Sequence, residues 1–167
     1  MRPGLAIADA IVGAASGAGC MTVLRMAAHR AGWIDRMPPQ ATREWLTERT
    51  GLEPAHPGSH HLLDAVVHWA VAVGAGAVYG AFVREPTRAR VAGGALFGLG
   101  VWAVAFGALL PALGITRSPR QGTARETAVN VASHLAYGAA TALVTRELGR
   151  QARVPEGPLR RLRARVG

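Results

Sequence analysis

The 167-residue chain has no lysine, one cysteine (Cys20) and few aromatic residues, 5% in all. A single cysteine excludes a disulfide framework and any multi-cysteine zinc or iron–sulfur site. With lysine missing, the 19 basic residues are all arginine; they face 10 acidic residues, giving a net charge of +9. Such an excess commonly signals nucleic acid. Here no aromatic residues interleave the basic clusters, and the arginines sit between long apolar runs, so nucleic acid is not an expected partner. Half the residues are apolar, too many for a disordered basic tail, and the length suits one compact domain. Enzyme motifs are missing too. There is no phosphate-binding loop, and Ser16-Gly17 reads as packing sequence, not a nucleophile elbow. Ser133 and His134 are chain neighbours on different helix azimuths, so they do not form a nucleophile–base pair.

What the chain does have is long apolar runs. A membrane-spanning helix needs about 20 mostly apolar residues. Four stretches qualify, at about 5–28, 62–83, 91–113 and 127–145. Between Val91 and Leu113 every position but Pro111 is apolar or glycine, so no face is left for water, as a soluble bundle would require. The first span is interrupted by Asp9 and closed by Arg25. Its Ala8-Asp9-Ala10 could serve a secretory signal, but the repeat described next argues against cleavage. The expected fold is all-α: an integral membrane four-helix bundle over residues 1–148, followed by a basic tail at 149–167.

Four spans place both termini on one side. That side holds 11 arginines and the other 8, counting Arg25 among the latter, so the positive-inside rule puts the termini in the cytoplasm and the protein in the inner membrane. In the tail, Leu159, Leu162 and Val166 share a face among Arg160, Arg161, Arg163 and Arg165. That segment suits an anionic leaflet or a solvated end equally well. In the first loop, Pro38-Pro39 is expected to stop the chain and Thr42 to cap a short interfacial helix ending before Gly51. Trp33 and Trp45 fall at headgroup level.

A shift of 81 residues lays the first span on the third: Gly13, Gly17 and Gly19 meet Gly94, Gly98 and Gly100. The register runs on to Ile34, Arg36, Pro38, Gln40 and Thr42 against Ile115, Arg117, Pro119, Gln121 and Thr123. A shift of 62 aligns the second and fourth spans, with Asp64 on Glu126 and Gly76 on Gly138. The unit is a helix pair used twice in one orientation, and parallel repeats of this kind are related by an axis along the membrane normal. Gly13/Gly17, Gly76/Gly80 and Gly94/Gly98 each put two small residues on one helix face. In lipid such pairs drive close helix packing, read here as intramolecular first and as a seam with a second copy or another membrane protein second.

Several of these features resemble the YagU-like family of small bacterial inner-membrane proteins, a domain of unknown biochemical function. They are the glycine-rich first span leading to Gly32-Trp33 and Pro38-Pro39, and the histidine-bearing second span ending in Tyr79-Gly80. They continue in Gly94-x-x-x-Gly98 with Trp102, Pro111 and Gly114, and in Glu126 two turns before His134. The resemblance covers most of residues 10–148. It implies a multi-pass membrane protein with a role in stress or acid tolerance, and it carries no catalytic residue.

Ionisable residues inside a span are costly and mark candidate sites. His61, Asp64 and His68 share one face of the second span, while Glu126, Asn130, His134, Tyr137 and Thr141 form a stripe on the fourth. Three readings stay open: polar contacts that hold helices together, a proton or small-solute pathway through His68 and His134, or a metal or haem site using His61, His68 and His134 with a carboxylate. No cofactor is assigned. The favoured reading is a non-enzymatic membrane protein of stress or transport character, with the metal- or haem-binding subunit as the alternative. Asp64 is expected to face His68, Glu126 to face Asn130, and Asp9 to find Arg84 or Arg88. The two stripes are expected to meet on the bundle axis in the outer half of the membrane.

Overall fold

The computed structural model describes residues 3–34, 38–51, 56–83 and 85–152. Arg36, Arg84 and the tail from Arg153 onward lie outside them. Among the described residues the chain is helical, without strands: α1 (Pro3–Arg30), α2 (Pro38–Thr50), α3 (Pro57–Phe82), α4 (Val91–Val104), α5 (Leu110–Ala112) and α6 (Ala124–Gln151). A 3-10 turn (Pro86–Arg88) precedes α4, and a π-helical turn (Ala105–Leu109) joins α4 to α5.

Three helices are long and apolar enough to cross a membrane: Gly4–Arg30, Ser59–Phe82 and Val91–Ala112. Their apolar side chains face outward. Leu62, Val71, Phe82, Leu96 and Val104 are all exposed by more than half, far more than a water-soluble surface tolerates in one band. The chain is a membrane protein. The helix α6 has the length, 28 residues, but not the apolarity to stand with these three. Its polar groups are turned inward instead: Ser133, His134, Tyr137, Thr141 and Thr145 are all buried.

The helices pack in the order α3, α1, α6, α4, so α1 and α6 form the centre and α3 and α4 flank them. Small residues explain the order. On α1, Ala10 and Ala14 meet Gly76 and Gly80 of α3, while Gly13 and Gly17 meet α6. A methyl group at Gly13 would lie 2.6 Å from the Thr145 hydroxyl, and one at Gly17 2.7 Å from that of Thr141. On α4, Gly94 and Gly98 lie against the backbone of Gly138 and His134. Hydroxyls on the buried face of α6 are satisfied within the helix, Thr141 donating to the Tyr137 carbonyl and Thr145 to that of Thr141, each at 2.7 Å. The glycines that share a register position do not meet equivalent partners. Gly13/Gly17 face the helix of the other pair and Gly94/Gly98 face the helix of their own, yet both pairs face α6. The expected placing of α3 beside α6 on the axis is therefore replaced by α1 beside α6. Between α3 and α4 there is an aromatic contact, Tyr79 on Phe97 with centroids 5.0 Å apart.

Two local expectations change. Pro38-Pro39 opens α2 instead of stopping the chain, because a proline at the first helical position gives up only an N–H that has no partner there anyway. Thr42 consequently lies inside the helix, which does end before Gly51, held at φ +67°. The α2 helix packs on α3 and reaches α5, where the Trp45 indole N–H donates to the Leu113 carbonyl at 2.8 Å.

Candidate functional site

The centre of the polar cluster is a residue that the spans alone leave at a helix end. Arg25 stands on α1 one turn after Met21 and in phase with Ala14 and Ala18, the buried face of the helix. It therefore points into the bundle and is 4% exposed. Five residues separate it from the end of α1, so it lies about 8 Å below the loop end at 1.5 Å per residue. Its Nη2 donates to Asn130 Oδ1 of α6 at 3.0 Å, and the guanidinium carbon sits 5.7 Å from the centroid of the Phe106 ring. The buried Nε has no hydrogen-bond partner. No carboxylate pairs with it among the described residues; Asp64 is taken by Arg43, Glu85 by Arg88 and Glu147 by Arg150.

Phe106 reaches this place through a fault in its helix. Pro111 has no N–H, and its ring collides with the carbonyl four residues earlier in a regular α-helix. The wider π turn at Ala105–Leu109 absorbs that conflict and presents Phe106, 8% exposed, to the interior. The ring also takes His134 edge-on, with centroids 5.5 Å apart.

The histidines are held by backbone and hydroxyl groups. His134 Nδ1–H donates to the Asn130 carbonyl at 2.8 Å, since a carbonyl can only accept. Thr22 spends its single hydroxyl hydrogen on the Ala18 carbonyl at 2.8 Å, so its oxygen accepts from His68 Nε2–H at 3.3 Å. Deeper in, the Tyr137 hydroxyl donates to the Ala72 carbonyl at 2.7 Å and ties α6 to α3.

The two stripes are thus brought together only in part. Asn130, His134 and Tyr137 face the interior with His68 across α1, but the carboxylates do not join them. Asp64 bonds Arg43 of α2 at 2.9 Å rather than His68, because α2 folds back over α3 and brings a guanidinium within reach. Glu126 accepts from the Thr123 N–H at 2.9 Å and from its hydroxyl at 3.0 Å, completing a capping box that starts α6, and does not face Asn130. Arg88 is engaged by Glu85 at 2.7 Å, not by Asp9, and Arg84 lies outside the described residues. His61 is exposed, and no group of three or more His, Cys, Asp or Glu among the described residues could hold a metal ion, so His61, His68 and His134 do not form a ligand set.

Above the cluster lies a cavity of about 740 Å³. The loop after α5 (Gly114 to Gly122), Ile34 and Ala41 form its rim, with Glu126 and Thr127 on one wall. Asn130 and Phe106, the two residues that touch Arg25, line it together with Trp102 of α4. The arrangement can admit a small solute from the loop end to a polar wall backed by a buried cation.

Reasoning from the sequence missed Arg25, Phe106 and Arg43. For Arg25 the signal was available: it follows Ala14, Ala18 and Met21 at helical spacing. For Phe106 the pointer was Pro111 inside an apolar run. Nothing local pairs Arg43 with Asp64. Compared with family models, with curated proteins and with solved structures, the chain finds no match.

Proposed function

We propose that the protein is a four-span inner-membrane protein with cytoplasmic termini, whose loop-end cavity passes a proton or small polar solute to the cluster around Arg25. The observation that carries this reading is the cavity itself, lined by the two residues that hold the buried Arg25, which pairs with no carboxylate among the described residues. An arginine kept inside a membrane bundle is costly and is retained where it meets a substrate or ion. Spanning by α6 is supported by its inward-turned polar face, which leaves lipid no charged surface along its middle. Moving Arg25 from the outer side to the interior leaves seven arginines there against 11, which widens the bias towards cytoplasmic termini. The helix-pair repeat gains support from one contact: Arg25 and Phe106 occupy the same position in the 81-residue register and lie against each other. Kinship with the YagU-like proteins, and the acid-tolerance role it implies, belongs to the same proposal and rests on the residues named for it above.

Purified protein in sealed vesicles holding a pH-sensitive dye tests the pathway. After an acid jump in gluconate buffer, with potassium and valinomycin carrying the compensating charge, vesicles with protein should acidify several-fold faster than empty ones, and His134→Ala should remove most of the difference. A rate equal to that of empty vesicles would leave the cluster a helix-packing device.

A further inference from the structure

Arg25 poses a chemical question that the proposed pathway leaves open: what balances its charge. A guanidinium offers five N–H donors in a planar fork suited to an oxyanion. One of them is used by Asn130 Oδ1 at 3.0 Å, and Nε, fully buried, is used by nothing. Asn130 Oδ1 is a neutral carbonyl oxygen in the place where an ion pair would have a carboxylate. Among the described acids, Asp64 is committed to Arg43 and Glu126 to the N-terminus of α6. Asn130 also lines the cavity, so an incoming group can meet the amide that the guanidinium holds from the other side.

We propose that Arg25 is the recognition group of a binding site for a small monovalent oxyanion, which enters through the loop-end cavity and replaces the Asn130 amide on the guanidinium. Arg25 pairs with no carboxylate among the described residues, so one negative charge on the ligand would balance it. Phe106 and His134 close the site on the inner side, the ring lying against the guanidinium and edge-to-face with the imidazole. This inference rests on the pathway reading for the route of entry and names the chemical class of the solute. The same oxyanion chemistry is available from a free acid anion and from the phosphate of an anionic lipid headgroup.

Binding of formate and of nitrate to the purified protein in neutral detergent, followed by calorimetric titration and by the shift in melting temperature, tests it. The wild type should bind one anion saturably. Asn130→Asp places a permanent carboxylate on the guanidinium, and it should weaken anion binding by about tenfold to a hundredfold, the range of one charge-assisted hydrogen bond. Arg25→Met should abolish binding. No binding by the wild type, or unchanged binding in folded Asn130→Asp or Arg25→Met, would overturn the proposal. Adding phosphatidylglycerol separates the two sources: a headgroup site loses its formate binding in proportion to the lipid, a free-anion site keeps it. The vesicle assay keeps the two readings apart. Anion binding without flux retains the site and removes the pathway. Flux that is equally fast with formate, nitrate and gluconate, in protein that binds none of them, retains the pathway and removes the anion.

Discussion

Gly98→Ala should leave little folded protein, whereas Gly100→Ala, two residues along the same helix, should be as stable as the wild type or slightly more so. The added methyl at position 98 would fall on the carbonyl of His134 and within 2.9 Å of its carbon, and both are backbone. Neither helix can yield without moving as a whole. Forcing atoms into a packed interface typically costs 1–3 kcal/mol and more when no side chain can turn away, so about 3 kcal/mol is a lower figure here. At Gly100 nothing lies within 4 Å, and alanine is the better helix former by about 1 kcal/mol. Gly138→Ala, with its methyl against Gly94 and 2.8 Å from the Gly98 nitrogen, should behave like Gly98→Ala. Thermal melts in detergent, with size-exclusion profiles to score aggregation, check all three variants. The packing scheme α1–α6–α4 is wrong if Gly98→Ala and Gly100→Ala melt together.

The second large effect is a gain. Arg25→Met should raise the stability of the bundle by about 1–4 kcal/mol, the range seen when buried charge gives way to a well-packed apolar side chain of similar volume. Taking a charge into a medium of low polarity costs several kcal/mol, and Arg25 recovers it only from one amide oxygen and the face of Phe106. Methionine keeps the length, fills the same space and removes the penalty. Asn130, left without its donor, lines the cavity and can turn to water there. A residue that only held helices together would give the opposite sign, with loss of stability when the Arg25–Asn130 contact is removed. Melting temperature of the two proteins in the same detergent, without added anion, decides between them.

Much of this architecture was readable from residue order. The three apolar spans and the short helix ending at Gly51 follow from run length and turn chemistry. Gly19 and Gly100 show the limit of that reading. They align in the repeat as well as their neighbours do, yet nothing lies within 4 Å of either, because spacing identifies a helix face without saying what it faces. The same limit explains the neighbour order. Equivalent glycine pairs on α1 and α4 both turn to α6, and a repeat alone would have given each its own partner. For the site, the polar stripe on α6 was visible but its partners were not. Glu126 belongs to that stripe by spacing, but Thr123-x-x-Glu126 before an apolar run is also the pattern of a capping box, and the box is what forms. The charge of Arg25 closes the apolar run, while its helical phase with Ala14, Ala18 and Met21 turns it inward. Asp64, expected to face His68, is taken instead by Arg43, which comes from a helix whose path over α3 has no local signature.

Whether α6 crosses the membrane decides the rest, because a cavity at the loop end and a buried Arg25 on its path mean little if the central helix does not span. In a Cys20→Ser background, single cysteines at Gly122 and at Arg150, both exposed, sit beyond opposite ends of the proposed span. A membrane-impermeant maleimide should label Gly122→Cys on intact cells and Arg150→Cys only after permeabilisation. Labelling of both positions from the same side would contradict the four-span arrangement and with it the proposed route to Arg25.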